Sequence, residues 1–189
     1  MTTVRLVAVS GNVTSPSRTR VLTGHIVQAV ESRAAVETDV IELSEIGPLL
    51  GSALTCDALS PTAAAAVSSI ESADILVVAS PVYRASYTGL FKHLFDFVGY
   101  DALAGVPVIL AATGGSERHS LAIDHQLRPL FAFFRAYSVP TGVYATETDF
   151  EGYTLRNQAI RDRIDAAALE AVRLAGQRLP NLQQVRAVA

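Results

Sequence analysis

Short, nearly unbroken apolar runs alternate along this chain with longer stretches in which apolar residues recur every three to four positions. The runs at 4–10, 36–43, 74–80, 106–113 and 141–145 have the β-branched and alanine-rich character of strands buried on both faces. Between them the spacing predicts helices over 17–33, 61–73, a segment carrying Leu90, Phe91, Leu94, Phe95 and Val98, then 117–137 and 155–176. In the first, Val21, Leu22, Ile26, Ala29 and Val30 form one stripe, and Ser17 is the natural N-cap. The fourth contains Pro129, which has no N–H to offer the carbonyl of His125. A kink, a break or a π-bulge would each resolve that conflict, and periodicity does not choose among them.

Strand and helix in strict alternation predict an α/β fold, a doubly wound five-stranded parallel sheet with helices on both faces. At this length the order 2-1-3-4-5 is the economical arrangement, in one domain over 1–177 with a tail at 178–189. Ligands of such sheets bind beyond the carboxyl ends of the strands where the strand order reverses, here between strands one and three. Three loops meet there: 11–18, 81–88 and 114–119.

Composition narrows the function. Half of the 189 residues are hydrophobic and 17% are charged, which is enough apolar material for a large core and excludes disorder. Fifteen basic against 18 acidic residues leave a net charge of -3 with no basic block, so nucleic acid is not an expected partner. No apolar run approaches the roughly 18 residues that cross a bilayer, and no membrane association is expected. The single cysteine, Cys56, has no partner for a disulfide, which points to a reducing cytoplasm.

The first loop, from Gly11 to Thr19, matches neither the phosphate-binding P-loop nor the dinucleotide glycine fingerprint. It supplies hydroxyls and free amides at a helix N-terminus, which is an anion site. Arg18 and Arg20 oppose the helix dipole there, a cost that a bound phosphate would reverse. The second loop carries Tyr83 and Tyr87 after a strand, and the third has paired Gly114 and Gly115 that let backbone approach a ligand closely. The four histidines have no metal-binding spacing, and the serines form no hydrolase motif. Glu147, Asp149 and Glu151 read as a solvated acidic rim.

The motifs Val9-Ser10-Gly11 with Pro16-Ser17-Arg18-Thr19, Ala79-Ser80-Pro81-Val82-Tyr83-Arg84, and Ala112-Thr113-Gly114-Gly115-Ser116-Glu117-Arg118-His119 with Asp124 to Pro129 fall on these three loops. With them, the stretch from about Val4 to Tyr153 resembles the NAD(P)H-dependent FMN reductase family of flavodoxin-like fold. It is most similar to the branch that supplies reduced FMN to methanesulfonate and alkanesulfonate monooxygenases. The resemblance implies FMN and NADH or NADPH as small-molecule substrates and an FMNH2-dependent monooxygenase as partner. It also implies that Ser10, Ser17, Arg18 and Thr19 hold the phosphate, and that Pro81, Val82, Tyr83, Arg84, Thr113, Gly114 and Gly115 frame the isoalloxazine. His119 is a further candidate at the flavin. His125 stands where the alkanesulfonate branch has the tyrosine of a π-helix, in keeping with the methanesulfonate branch, and a homodimer or homotetramer across that region is expected. The rival expectations are a quinone or azo-dye reductase with tightly bound FMN, a flavodoxin-type electron carrier, and a regulatory nucleotide-binding module.

Overall fold

The computed structural model describes residues 4–179. Strands β1 (Val4–Ser10), β2 (Val36–Glu42), β3 (Ile75–Pro81) and β4 (Pro107–Gly114) form a parallel sheet in the order β2-β1-β3-β4. Its outer position beyond β4 is shared by two short strands, β5 (Tyr137–Ser138) and β6 (Val143–Thr146), both parallel to β4. The expected order 2-1-3-4-5 is therefore present, with its fifth strand split. Pro140 has no N–H for the ladder. The N–H and hydroxyl of Thr141 bond the Glu170 carboxylate instead of β4, at 2.9 and 2.7 Å, so pairing resumes only at Val143.

Alternation along β1 sorts the helices to two faces. Leu6 and Ala8 pack with α1 (Arg18–Glu31) and α6 (Gln158–Arg178), while Val7 and Val9 pack with α2 (Leu43–Leu50), α3 (Pro61–Glu71), α4 (Gly89–Phe95) and α5 (Arg128–Phe133). The second face holds a chain of aromatic contacts in which Phe95 lies 4.9 Å from Phe91 and edge-on to Phe131 at 5.0 Å between centroids. Fully buried Leu22, Ile26 and Val30 carry the expected stripe of α1, and the Ser17 hydroxyl accepts the Arg20 N–H as its cap.

Four boundaries differ from the sequence reading. Helix α2 was not expected, because Gly47 and Pro48 within eight residues read as breakers. The stretch 117–137 is not one helix: a 3₁₀ turn at Glu117–His119 precedes a π-helical segment, Ile123–Leu127, which passes into α5 at Arg128. Of the three resolutions left open for Pro129, the chain takes the π form, with the Arg128 N–H reaching back five residues to the Ile123 carbonyl. Leu155 does not start the last helix. It closes a small hairpin of β7 (Phe150–Glu151) and β8 (Thr154–Leu155), and Asn157 then caps α6. Arg178 ends α6, and the rest of the expected tail, from 180, lies outside the described residues. Among the described residues no helix is long and apolar enough to cross a membrane.

Candidate flavin-binding site

Strands β1, β3 and β4 end side by side, and the three loops that follow them open into one cleft of about 230 Å³. Thr14, Ser17, Arg18 and Thr19 form one wall, Pro81, Val82 and Tyr83 a second, and Thr113, Gly114 and Gly115 a third. Thr146, Glu147 and Tyr153, after β6, complete the rim.

The loops are fixed to one another by short hydrogen bonds. Gly11 donates its N–H to the Ala79 carbonyl at 2.7 Å and accepts the Thr88 hydroxyl at 3.1 Å, which locks the first loop to the end of β3. A Cβ on Gly11 would stand 3.0 Å from both the Ala79 oxygen and the Phe91 ring, so this approach requires glycine. Val82 donates to the Thr113 carbonyl at 2.7 Å, joining the second loop to the third. Across the cleft floor the buried hydroxyls of Thr19 and Thr113 share a hydrogen bond of 2.6 Å, joining the first to the third.

Ser10 stands beneath the cleft, not on its wall. It is fully buried and donates to Asn12 Oδ1 at 2.5 Å, and the Asn12 amide in turn donates to the Thr14 carbonyl and the Ser44 hydroxyl. Ser10 thus shapes the first loop through Asn12. Asn12 gave no motif signal, and its part is visible only once Ser44 is brought beside it by α2. At the start of α1 the Arg20 N–H is taken by the Ser17 cap, and Ser17, Arg18 and Thr19, which open the helix, line the cleft. Arg20 turns away and pairs with Glu42.

Arg18 lies on the cleft wall, but its guanidinium is shared with the opposite rim. Nη1 is 3.0 Å from Glu147 Oε1, Nε donates to the Gly152 carbonyl at 3.2 Å, and the group sits 5.8 Å from the centre of the Tyr153 ring. The acidic rim therefore separates into three roles. Glu147 is a cleft residue, and Glu151 is the exposed partner of Arg156. Asp149 is not solvated: it is 7% exposed and accepts the N–H and hydroxyl of Thr146 and the Asn157 amide. Burial alone would push its pKa up, but those three hydrogen bonds outweigh burial and hold the carboxyl below its ordinary value.

In the second loop, Tyr83 and Ser86 exchange backbone hydrogen bonds of 2.8 and 3.2 Å around a two-residue turn. Its central residues, Arg84 and Ala85, have φ of 51° and 68°, a left-handed conformation that costs non-glycine residues energy. This strained turn aims the exposed Arg84 outward, off the cleft walls. His119 and His125 are likewise exposed and stand outside the cleft, His119 at the end of the 3₁₀ turn and His125 in the π segment. The Ser86 hydroxyl bonds Gln126 at 3.1 Å and so ties the strained turn to that π segment.

Beneath the third loop, Tyr144 of β6 donates its hydroxyl to the Ser116 carbonyl at 2.6 Å and occupies the space in which a Cβ on Gly114 would stand. Burial first, and the nearby Glu117 carboxylate second, raise the phenol pKa and keep Tyr144 protonated as a donor. The Gly114 and Gly115 backbone is thereby presented bare to the cleft.

Residues 4–151 match the family described as NADPH-dependent FMN reductase. The chain belongs to that family. It is an oxidoreductase whose substrates are FMN and a reduced nicotinamide. The FMN reductase chain is 48% identical to the NADH-dependent FMN reductase SfnF of Pseudomonas fluorescens (strain Pf0-1), over 96% of its own length and 97% of that protein. It is 49% identical to an FMN reductase (NADPH) of Pseudomonas aeruginosa, over 92% and 94% of the two chains. A solved oxidoreductase from Corynebacterium diphtheriae superposes with a TM-score of 0.80 at 40% identity, covering 93% of this chain and 98% of that one. The motifs that carry the family resemblance in the sequence are the loops that meet in the cleft.

Proposed function

We propose that this FMN reductase takes up FMN as a substrate, reduces it with NADH or NADPH, and releases it to an FMNH2-dependent monooxygenase. When both substrates are bound, hydride passes from the nicotinamide to the flavin, and the protein contributes position and electrostatics. The observation that carries the reading is the convergence of three loops on one cleft at the carboxyl ends of β1, β3 and β4.

The residues suit the parts of FMN. The hydroxyls of Thr14 and Ser17, the first-turn amides of α1 and the Arg18 guanidinium suit the phosphate, with Thr19 anchoring that turn to Thr113. Pro81, Val82, Tyr83 and the bare Gly114-Gly115 backbone form a slot for a flat ring, in which the glycine amides are donors toward negative charge on the flavin. Ser10 serves the phosphate end through Asn12, and Arg84 and His119 are exposed and outside the cleft lining.

Supply to a monooxygenase is supported by resemblance to the sulfonate-monooxygenase branch. We further propose a homodimer or homotetramer through the π segment and the turn before it, where His125 and Leu121, the latter 59% exposed, face outward. A cytoplasmic setting follows from dependence on reduced nicotinamide and from the single cysteine. The domain is taken as 1–177, with 178–189 appended.

The test is anaerobic. Purified apoprotein is mixed with NADH or NADPH and excess FMN, and flavin bleaching is followed beyond one equivalent. Many turnovers per protein are expected. Bleaching that stops at one flavin per site would favour an electron carrier with a resident flavin and overturn the proposal.

A further inference from the structure

Among the described residues lining the cleft, Arg18 is the single cation and Glu147 the single anion, and they are bonded to each other at 3.0 Å. The wall that would meet a flavin phosphate, which carries about -1.5 to -2 charges at neutral pH, is therefore electrically neutral. A phosphate bound there gains from the loop amides and hydroxyls, but the one cation beside it is already neutralised. We propose that Glu147 is an internal competitor for Arg18, weakening the hold on the phosphate and so setting the rate at which FMN leaves. This rests on the phosphate lying against Arg18, as proposed above, and it assigns to Glu147 the difference between a flavin that is exchanged and one that is kept.

The competitor is a built feature of the fold. Glu147 opens a 3₁₀ turn, Glu147–Asp149, whose two ends are tied by the reciprocal Thr146 and Asp149 bonds. Buried Asp149 anchors that turn a second time through Asn157, the cap of α6. Glu147 is consequently held at the rim by main chain that is itself fixed, while its side chain stays 64% exposed and free to swing away. Arg18 has two further contacts on the same segment, the Gly152 carbonyl and the Tyr153 ring. Those neutral contacts orient the guanidinium without opposing a phosphate. The carboxylate does oppose it, because it already neutralises the one positive charge of Arg18 and repels a second anion brought to the same group. Arg20, the other cation in the first turn of α1, does not relieve the competition because Glu42 holds it.

The experiment measures equilibrium binding and dissociation of FMN and of riboflavin, which lacks the phosphate, in the apoprotein without nicotinamide. Proteins compared are the parent, Glu147→Gln, Arg18→Ala and the double variant. Glu147→Gln is expected to lower the FMN Kd about two- to fivefold, the scale of an exposed ion pair, mainly through slower dissociation, with riboflavin unchanged. Arg18→Ala is expected to weaken FMN selectively and to abolish the gain from Glu147→Gln. An unchanged or weaker FMN affinity in Glu147→Gln, or equal tightening of riboflavin, overturns the competition. A gain that survives intact in the Arg18→Ala background also overturns it, because Glu147 would then act on the phosphate directly. Equal loss of both flavins in Arg18→Ala overturns the phosphate assignment itself and this proposal with it, while leaving anaerobic turnover as a separate measure of the reductase reading.

Discussion

The hydroxyl of Tyr144 fills the space in which a side chain on Gly114 would begin, and it bonds the Ser116 carbonyl two residues further on. One tyrosine on β6 therefore both excludes any larger residue from the third loop and fixes the loop's path. Gly114→Ala is expected to displace the loop and weaken FMN about tenfold or more, on the scale of small-to-large changes in packed positions. Tyr144→Phe in the same chain removes the clashing oxygen and leaves the ring carbon 3.1 Å away, so it is expected to restore part of the loss. FMN titration of the two single variants and the double variant checks this. A double variant no better than Gly114→Ala would show that the glycine is needed for some other reason.

A second coupling joins the loops from below. The hydroxyls of Thr19 and Thr113 are buried at 2% and 8% exposure and satisfy each other across 2.6 Å. Removing one leaves the other a buried polar group with one partner fewer, at a cost of about 1–3 kcal/mol, whereas removing both leaves no orphan. Thr19→Val or Thr113→Val alone is thus expected to lower unfolding stability by more than half of that range. The double variant is expected to lose less than the sum. Denaturant melts of the four proteins measure the coupling, and simple additivity would mean that the pair contributes nothing as a pair.

Arg84 and Ala85 hold left-handed φ values with no glycine between them. At Ala85, glycine removes a backbone penalty of about 1–2 kcal/mol and adds about 0.4–1 kcal/mol of unfolded-state entropy, so Ala85→Gly is expected to stabilise by about 0.5–1 kcal/mol. The strained turn is bonded to the π segment through Ser86 and Gln126 and flanks the cleft at Tyr83. A thermal melt checks the sign. Stabilisation accompanied by weaker FMN binding is the expected signature of a turn whose strain serves the site.

How much of this was legible depends on where each signal is local. The strands β1, β3 and β4 are buried on both faces apart from exposed Arg5, so their sequences are nearly unbroken apolar runs, and Ser17 caps α1 by chemistry confined to four residues. The three cleft loops followed from strand order alone. Helix α2 escaped because its evidence is tertiary: a Cβ on Gly47 would stand 3.0 Å from the Leu90 side chain of α4, and packing overrides the breaker signals of Gly47 and Pro48. The split fifth strand escaped because Glu170, which takes Thr141 from the ladder, is 29 residues away. Glu147 and Asp149 looked alike in sequence. Only the fold gives one to Arg18 and buries the other on Asn157.

Asp149 supplies a pH test of that difference. Its pKa is lowered on folding because the Thr146 and Asn157 bonds to the charged form exceed the penalty of burial. A carboxyl with a depressed folded pKa stabilises fully above its unfolded value, near 3.8, and loses that contribution as pH falls through the lower folded value. Asp149→Asn keeps the shape but cannot accept the same charge-assisted bonds, so it is expected to cost about 1–3 kcal/mol at pH 7. The deficit is expected to shrink below pH 3.8 as the parent carboxyl protonates. Because the Asp149 turn carries Glu147, the same variant is expected to loosen the Glu147 contact with Arg18 and tighten FMN while destabilising the chain. Stability measured from pH 7 to pH 3, with FMN binding at pH 7, separates these effects. A stability deficit constant across that range would show that the Asp149 charge contributes nothing, and that its anchoring is a matter of shape.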